Sequence, residues 1–316
     1  MLTIISILLK MTVMNVRPRI STTAVAAVTL LGLTALSACS TSDAADAGKG
    51  GRVAVVASFY PLEFLAEQIG GEFVDVTTLT APGVEPHDLE LTPRQTGSLQ
   101  EADLIVYLGK LQPAVDKAVE QSDAAHTVDA GTLTERSKNG TGADKDPHIW
   151  LDPRQYAEMA AGVGEALGEA DPEHAGSYEK NADALVSKLR KLDQDFESGL
   201  KNRSGDTIIT AHAAFGHLAE RYGLRQEAVN GIDPESEPSP ARVKELHKIA
   251  AKEKSTTVFF ETIASQKTAR TLAADTGLRT DVLDPVEGVT DASRGQDYLE
   301  IMRANLSALQ KALDAG

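Results

Sequence analysis

The sequence predicts an α/β protein of two parallel-sheet lobes joined by one long helix. Three observations carry this. Short β-rich runs alternate with helical stretches over most of the chain, the rhythm of parallel strands covered by helices. One long amphipathic stretch with no strand-like run splits that rhythm into two roughly equal halves. Finally, 316 residues with 42% hydrophobic content are long for one core and suit two.

In the first half, Val53–Phe59 reads as a buried strand and Leu62–Ile69 as a helix ending at Gly70-Gly71. Val74–Thr80 and Leu104–Leu108 are further strands; Val128 sits in too short a run to assign. From Pro153 to Asn202 no strand is expected. Asp171-Pro172-Glu173 looks like a helix start, and Ala182, Leu185, Leu189, Leu192, Phe196 and Leu200 then recur at helical spacing. In the second half Thr207–Thr210, Thr256–Phe260 and Thr280–Leu283 are expected strands. Ala213–Tyr222, Arg242–Glu253, Gln266–Thr276 and Tyr298–Leu313 are expected helices, two of them stopped by Gly223 and Gly277. The resulting division is a leader at 1–38, a tether at 39–51, a lobe at 52–170, a linker helix at 171–202 and a second lobe at 203–316.

The leader has Arg17 and Arg19 ahead of a run from Ile20 to Ser42 without a charged residue. That is the basic and apolar layout of a secretory signal. It closes on Leu36-Ser37-Ala38-Cys39, which resembles a bacterial lipobox, so Cys39 is the expected lipidation site. Cys39 is the only cysteine, which leaves no internal disulfide to form. A second apolar patch, Ile4–Leu9, precedes Met14, which makes Met14 an alternative start. Ser40–Gly51, rich in Ser, Ala, Asp and Gly, reads as a flexible tether. The formal charge of −15, with no basic stripe, argues against a nucleic-acid partner.

The chemistry-bearing residues collect where strands end. His87 lies in the turn-rich loop after Val74–Thr80, and His212 follows Thr207–Thr210. Glu261 follows Thr256–Phe260, and Asp284 and Glu287 follow Thr280–Leu283. Ligands of open parallel sheets bind beyond the carboxyl ends of the strands. His148 is flanked by Pro147 and Pro153, two stiff steps that help a ligand keep its geometry. Three imidazoles and one carboxylate form a natural four-coordinate set for Zn²⁺. His217, five residues past His212 in an expected helix, points elsewhere, and His126, His174 and His247 read as surface residues. No HExxH, phosphate-binding loop or Gly-x-Ser-x-Gly motif is present.

Several stretches together carry a family resemblance. They are Pro86-His87-Asp88, Ala102–Gly109, Pro147-His148-Ile149-Trp150-Leu151-Asp152-Pro153, Thr210-Ala211-His212-Ala213-Ala214-Phe215, Gly231–Pro240, Phe259-Phe260-Glu261 and Leu283-Asp284-Pro285-Val286-Glu287. In this order the chain resembles the metal-binding solute-binding lipoproteins of bacterial zinc and manganese ABC importers, and more particularly the zinc-type subgroup. The resemblance covers Val53 to the final helix.

The resemblance implies two lobes on a long helix with a metal site in the cleft between them. His87, His148 and His212 would be ligands. Glu287 would be the fourth, with Asp284 the alternative, and Glu261 would orient an imidazole. It implies Zn²⁺ as cargo, because manganese-type relatives usually place Glu where this chain keeps His212; Mn²⁺ or Fe²⁺ is the alternative. The absence of His from Gly131 to Asp146 argues against the metal-gathering loop common in zinc-type members. The expected partners are ABC permease subunits and the membrane, reached through Cys39 on the outer face of the cytoplasmic membrane, with the protein a monomer. Binding rather than catalysis is expected. A surface adhesin on the same scaffold and, more remotely, a secreted zinc hydrolase are the rival readings.

Overall fold

Two four-stranded parallel sheets of the same design organise the protein. In the computed structural model, which describes residues 51–135 and 146–315, the first sheet contains β1 (Val53–Ala57), β2 (Val74–Thr78), β3 (Leu104–Tyr107) and β4 (His126–Asp129). The second contains β5 (Thr207–Thr210), β6 (Arg225–Ala228), β7 (Thr257–Phe260) and β8 (Arg279–Val282). The strand orders are β2-β1-β3-β4 and β6-β5-β7-β8. In each sheet the chain turns one way and then the other about its first strand, which creates a crevice between β1 and β3 and another between β5 and β7. The leader, Cys39 and the tether up to residue 50 lie outside the described residues, as do residues 136–145.

The helices of the described residues are α1 (Tyr60–Gly70), α2 (Pro93–Glu101), α3 (Pro113–Glu120), α4 (Pro153–Ala170), α5 (Ala175–Gly199), α6 (Gly216–Tyr222), α7 (Pro240–Lys252), α8 (Lys267–Thr276) and α9 (Tyr298–Ala312). Gly223 and Gly277 stop α6 and α8 in the left-handed conformation, at φ 65° and 71°. Two features differ from the sequence reading. The long helix begins at Ala175, because the Asp171 carboxylate accepts from His174 Nδ1 and the Tyr178 hydroxyl and holds residues 171–174 in a turn. Ahead of that turn lies a separate 18-residue helix, α4, capped by Asp152, whose carboxylate accepts from Arg154 N.

Alternate residues of each central strand enter different cores. Val55, Ala57, Leu104, Val106, Ile208 and Phe259 face one continuous core shared by both sheets. Val56 and Ile105 face a smaller core with Leu99 and Val115; Ile209 and Val258 face another with Leu246 and Leu272. This is the period-two alternation of strands covered on both faces. The apolar face of α5, from Tyr178 to Phe196, is buried in the shared core. Its beginning is tied to α1 by Asn181 Nδ2 donating to Ile69 O, and its end to α9 by Gln310 Nε2 donating to Gly199 O.

Candidate metal centre

Strand register already pairs two of the site residues. Thr210 of β5 is opposite Phe259 of β7, so continuing two residues puts His212 opposite Glu261. There His212 Nδ1 lies 2.6 Å from Glu261 Oε1. His87 comes from the loop after β2. His148 comes from the segment between β4 and α4, and Glu287 from the turn after β8.

The structure brings His87, His148, His212 and Glu287 together, with one donor atom of each within 4.8 Å of the others. His87 Nε2 is 3.2 Å from His148 Nε2, which is 3.4 Å from His212 Nε2. Glu287 Oε1 is 3.4, 3.3 and 3.7 Å from the Nε2 atoms of His87, His148 and His212. A tetrahedral ion with bonds of about 2.0–2.1 Å has donors about 3.3 Å apart, so these separations are the edges of such a polyhedron. Neither Glu287 oxygen has a hydrogen bond of good geometry, although the residue is buried. A buried carboxylate without donors is costly unless a cation answers it. Three of the four side chains are 0–1% exposed and His87 is 9% exposed, so the site admits a small ion and not an organic substrate.

The rings are aimed from behind. Glu261, 2% exposed, receives Nδ1–H of His212, and the Asp146 carboxylate receives Nδ1–H of His148 at 2.8 Å. With the proton on Nδ1, each Nε2 lone pair points into the cluster, the usual arrangement behind metal-bound imidazoles. The role of Asp146 was not read from the sequence. The available signal was local: an acid two residues before His148 whose carboxylate also accepts the His148 backbone N–H. Glu85 closes the loop at His87 in the same way, accepting from His87 N at 3.0 Å.

Burial disfavours a charged His148, but hydrogen bonds and charge from Asp146 and Glu287 outweigh it and raise its pKa to about 9. His212 is raised against the effect of its burial by Glu261 and Glu287. Burial would raise Glu287, yet the surrounding imidazoles hold it far below the ordinary carboxylate range. The metal-free cluster therefore balances its carboxylate with protons. The pKa of His148 is raised above its unfolded value, so its stabilisation is complete below about pH 6.5 and is lost as pH rises through about 9. Metal-free protein is expected to melt several degrees lower at pH 9 than at pH 6.5, a difference on the order of a few kcal/mol, in a calorimetric pH series. A flat series would contradict the paired arrangement of His148.

Asp284, the alternative fourth donor, is engaged elsewhere. Its carboxylate accepts from the Thr262 hydroxyl at 2.6 Å and from Val286 N at 2.8 Å, and its backbone pairs in both directions with Asn305. Burial raises its pKa to about 6. Val286 adopts φ 58°, rare for a β-branched residue, and this reverses the chain so that Glu287 faces the imidazoles. Trp150 Nε1 holds the same turn by donating to Pro285 O at 2.7 Å. Asp284→Ala is expected to cost about 1–3 kcal/mol of stability in denaturant unfolding while zinc affinity falls less than for Glu287→Ala. The reverse order would make Asp284 the donor.

The remaining histidines lie away from the cluster. His217 is buried, with Nε2 donating to Asp146 O at 2.9 Å and Nδ1 accepting from Gln155 Nε2 at 3.2 Å. His174 stacks on Phe73. His126 lies on edge strand β4 and His247 on α7, both partly exposed.

Two parallel-sheet lobes with a buried three-imidazole, one-carboxylate cluster at their strand ends define a metal-binding protein of the solute-binding class. The chain belongs to the family described as ZnuA, zinc-uptake complex component A, periplasmic, whose profile matches residues 55–312. It is 33% identical over 281 residues to the zinc-binding lipoprotein AdcA of Streptococcus pneumoniae, an alignment that covers 83% of this chain and 56% of AdcA. The chain thus spans little more than half the length of that relative. Against the high-affinity zinc uptake system protein ZnuA of Bacillus subtilis it is 34% identical, covering 83% of this chain and 88% of that protein. Among solved structures, the Zn(II)-bound ZnuA-like domain of S. pneumoniae AdcA superposes with a TM-score of 0.72 at 34% identity, covering 84% of this chain and all of that one. The laminin-binding protein Lmb of Streptococcus agalactiae, described as bifunctional with adhesin and metal transporting activity, gives 0.75 at 30% identity over 83% of this chain and 100% of that one.

Proposed function

We propose that this protein captures Zn²⁺ outside the cytoplasm and delivers it to the permease subunits of an ABC importer. The observation that carries the reading is the buried set of His87, His148, His212 and Glu287, with donor separations suited to a tetrahedral ion. Three imidazoles and one carboxylate favour zinc over manganese, which suits oxygen-rich sets. His87, His148, His212 and Glu287 are the proposed ligands, and Glu261 and Asp146 orient His212 and His148. Four protein donors close a tetrahedral site and leave no position for an activated water, which favours binding over hydrolysis.

Cys39 is the proposed lipid anchor, holding a monomer on the outer face of the cytoplasmic membrane. No helix among the described residues is long and apolar enough to cross a membrane. Labelling cells with a fatty-acid probe tests the anchor, since incorporation should vanish in Cys39→Ser. Likeness to Lmb favours a second role as a laminin-binding adhesin, and a solid-phase laminin assay with the purified chain decides it.

The two halves are already joined across the cleft. Trp150 Nε1 donates to Pro285 O, the Tyr298 hydroxyl donates to Trp150 O, and His217 Nε2 donates to Asp146 O. Zinc loading is therefore expected to leave the radius of gyration unchanged within error in small-angle scattering. A marked compaction would show that these bonds do not fix the lobes. The function itself is tested by titrating zinc into chelator-stripped protein in a calorimeter, with one ion per chain expected and no saturable binding contradicting it.

A further inference from the structure

His148 belongs to the first half of the chain, yet Asp146, whose carboxylate aims it, is seated against the second. Asp146 Oδ2 lies so near the start of α6 that a Cβ placed on Gly216 would come within 2.4 Å of it. Such a separation is never tolerated, so either the carboxylate or the helix would have to shift. The next residue, His217, donates Nε2–H to the Asp146 carbonyl at 2.9 Å. Its Nδ1 accepts from Gln155, which also donates to Asp152, the cap of α4. His217 is 4% exposed and these are its two ring partners, so its ring is fixed from both sides. Asp146 is held at its carbonyl by His217, has its carboxylate against the bare Cα of Gly216, and accepts the His148 Nδ1–H with Oδ1.

We infer that Gly216 and His217 are positioning residues for metal capture: they form a socket on the second lobe that seats Asp146 and thereby orients His148, a ligand from the first lobe. This rests on the reading of His148 as a ligand. Gly216 contributes by having no side chain, which lets the carboxylate approach the helix. His217 contributes a fixed hydrogen bond to the adjacent backbone. One consequence is that the lobes must be correctly seated on each other before His148 presents its Nε2, so the site reads interlobe docking as well as supplying donors.

The experiment is a double-mutant cycle on the full chain, with zinc affinity measured by chelator competition and site geometry by the ligand-field spectrum of the Co²⁺-substituted protein. Gly216→Ala is expected to weaken zinc binding about tenfold, at the low end of what loss of a ligand-orienting partner costs. It should also alter the Co²⁺ visible bands. Asp146→Ala removes the atom with which the new methyl collides, so adding Gly216→Ala to Asp146→Ala should cost little further. His217→Phe keeps a ring of similar size but loses the donor, and a several-fold loss of affinity with altered Co²⁺ bands is expected there too. Far-UV circular dichroism and the melting temperature identify any variant that has merely unfolded. The His217 arm then stands alone if Gly216→Ala is one of these. Additive losses in the cycle, or wild-type affinity and Co²⁺ spectra in folded His217→Phe, would overturn the inference while leaving zinc capture intact. Absence of zinc binding by the unaltered chain would overturn both.

Discussion

His148→Ala is expected to weaken zinc binding about a hundredfold or more. Zinc sites built wholly from protein donors contribute about 10–16 kcal/mol, so one donor of four accounts for about 3 kcal/mol, and each 1.4 kcal/mol is tenfold. His148 should sit at the upper end of that range. It is fully buried and its Nε2 lies centrally, 3.2 to 3.4 Å from the donors of His87, His212 and Glu287. Removing it also strands the Asp146 carboxylate, which then lacks its imidazole donor. Chelator competition measures the loss. An affinity within threefold of wild type would remove His148 from the ligand set.

The second large effect is on pH. In the metal-free protein His148 has its pKa raised to about 9, and His212 is raised as well. His148 is therefore largely protonated at neutral pH and must lose a proton to bind an ion, and the carboxylates beside His212 favour its protonated form as well, whereas Glu287 is already ionised. The association constant should thus rise with pH, by about tenfold per unit for each proton released, and level off above about 9. Between pH 7 and pH 5 one or two protons correspond to a loss of about 10²- to 10⁴-fold. Titrations in buffers of different ionisation enthalpy count the protons directly. Affinity that stays constant from pH 5 to 7 would contradict the proton-balanced cluster.

Much of the architecture was legible because the central strands are apolar. Val53–Ala57, Leu104–Tyr107, Thr207–Thr210 and Thr257–Phe260 are buried on both faces and stand out as short hydrophobic runs. Two of the four edge strands were not legible. His126–Asp129 and Arg225–Ala228 carry polar, partly exposed residues, and their pairing is dictated by the neighbouring strand rather than by their own pattern. Helix α2 was missed because Leu99 is its only buried residue, and α4 because small or polar residues such as Gln155, Ala157, Ala160, Gly164 and Ala166 interrupt the large apolar ones on its buried face. For the site, proximity to strand ends singled out His87, His212, Glu261 and Glu287, and the paired prolines singled out His148. Spacing could not separate Asp284 from Glu287, since both lie in one short turn; in the folded protein Glu287 lies among the three imidazoles, while the Asp284 carboxylate accepts from Thr262 and Val286 N. The contact of Gly216 with Asp146 joins residues 70 positions apart, and no local pattern announces it.

The central claim is that this cluster selects zinc, and competition between Zn²⁺ and Mn²⁺ for the chelator-stripped full chain tests it most directly. Zinc bound one to one and not displaced by a large excess of manganese is the expected result. Preferential binding of manganese, or no saturable binding of either ion, would contradict it.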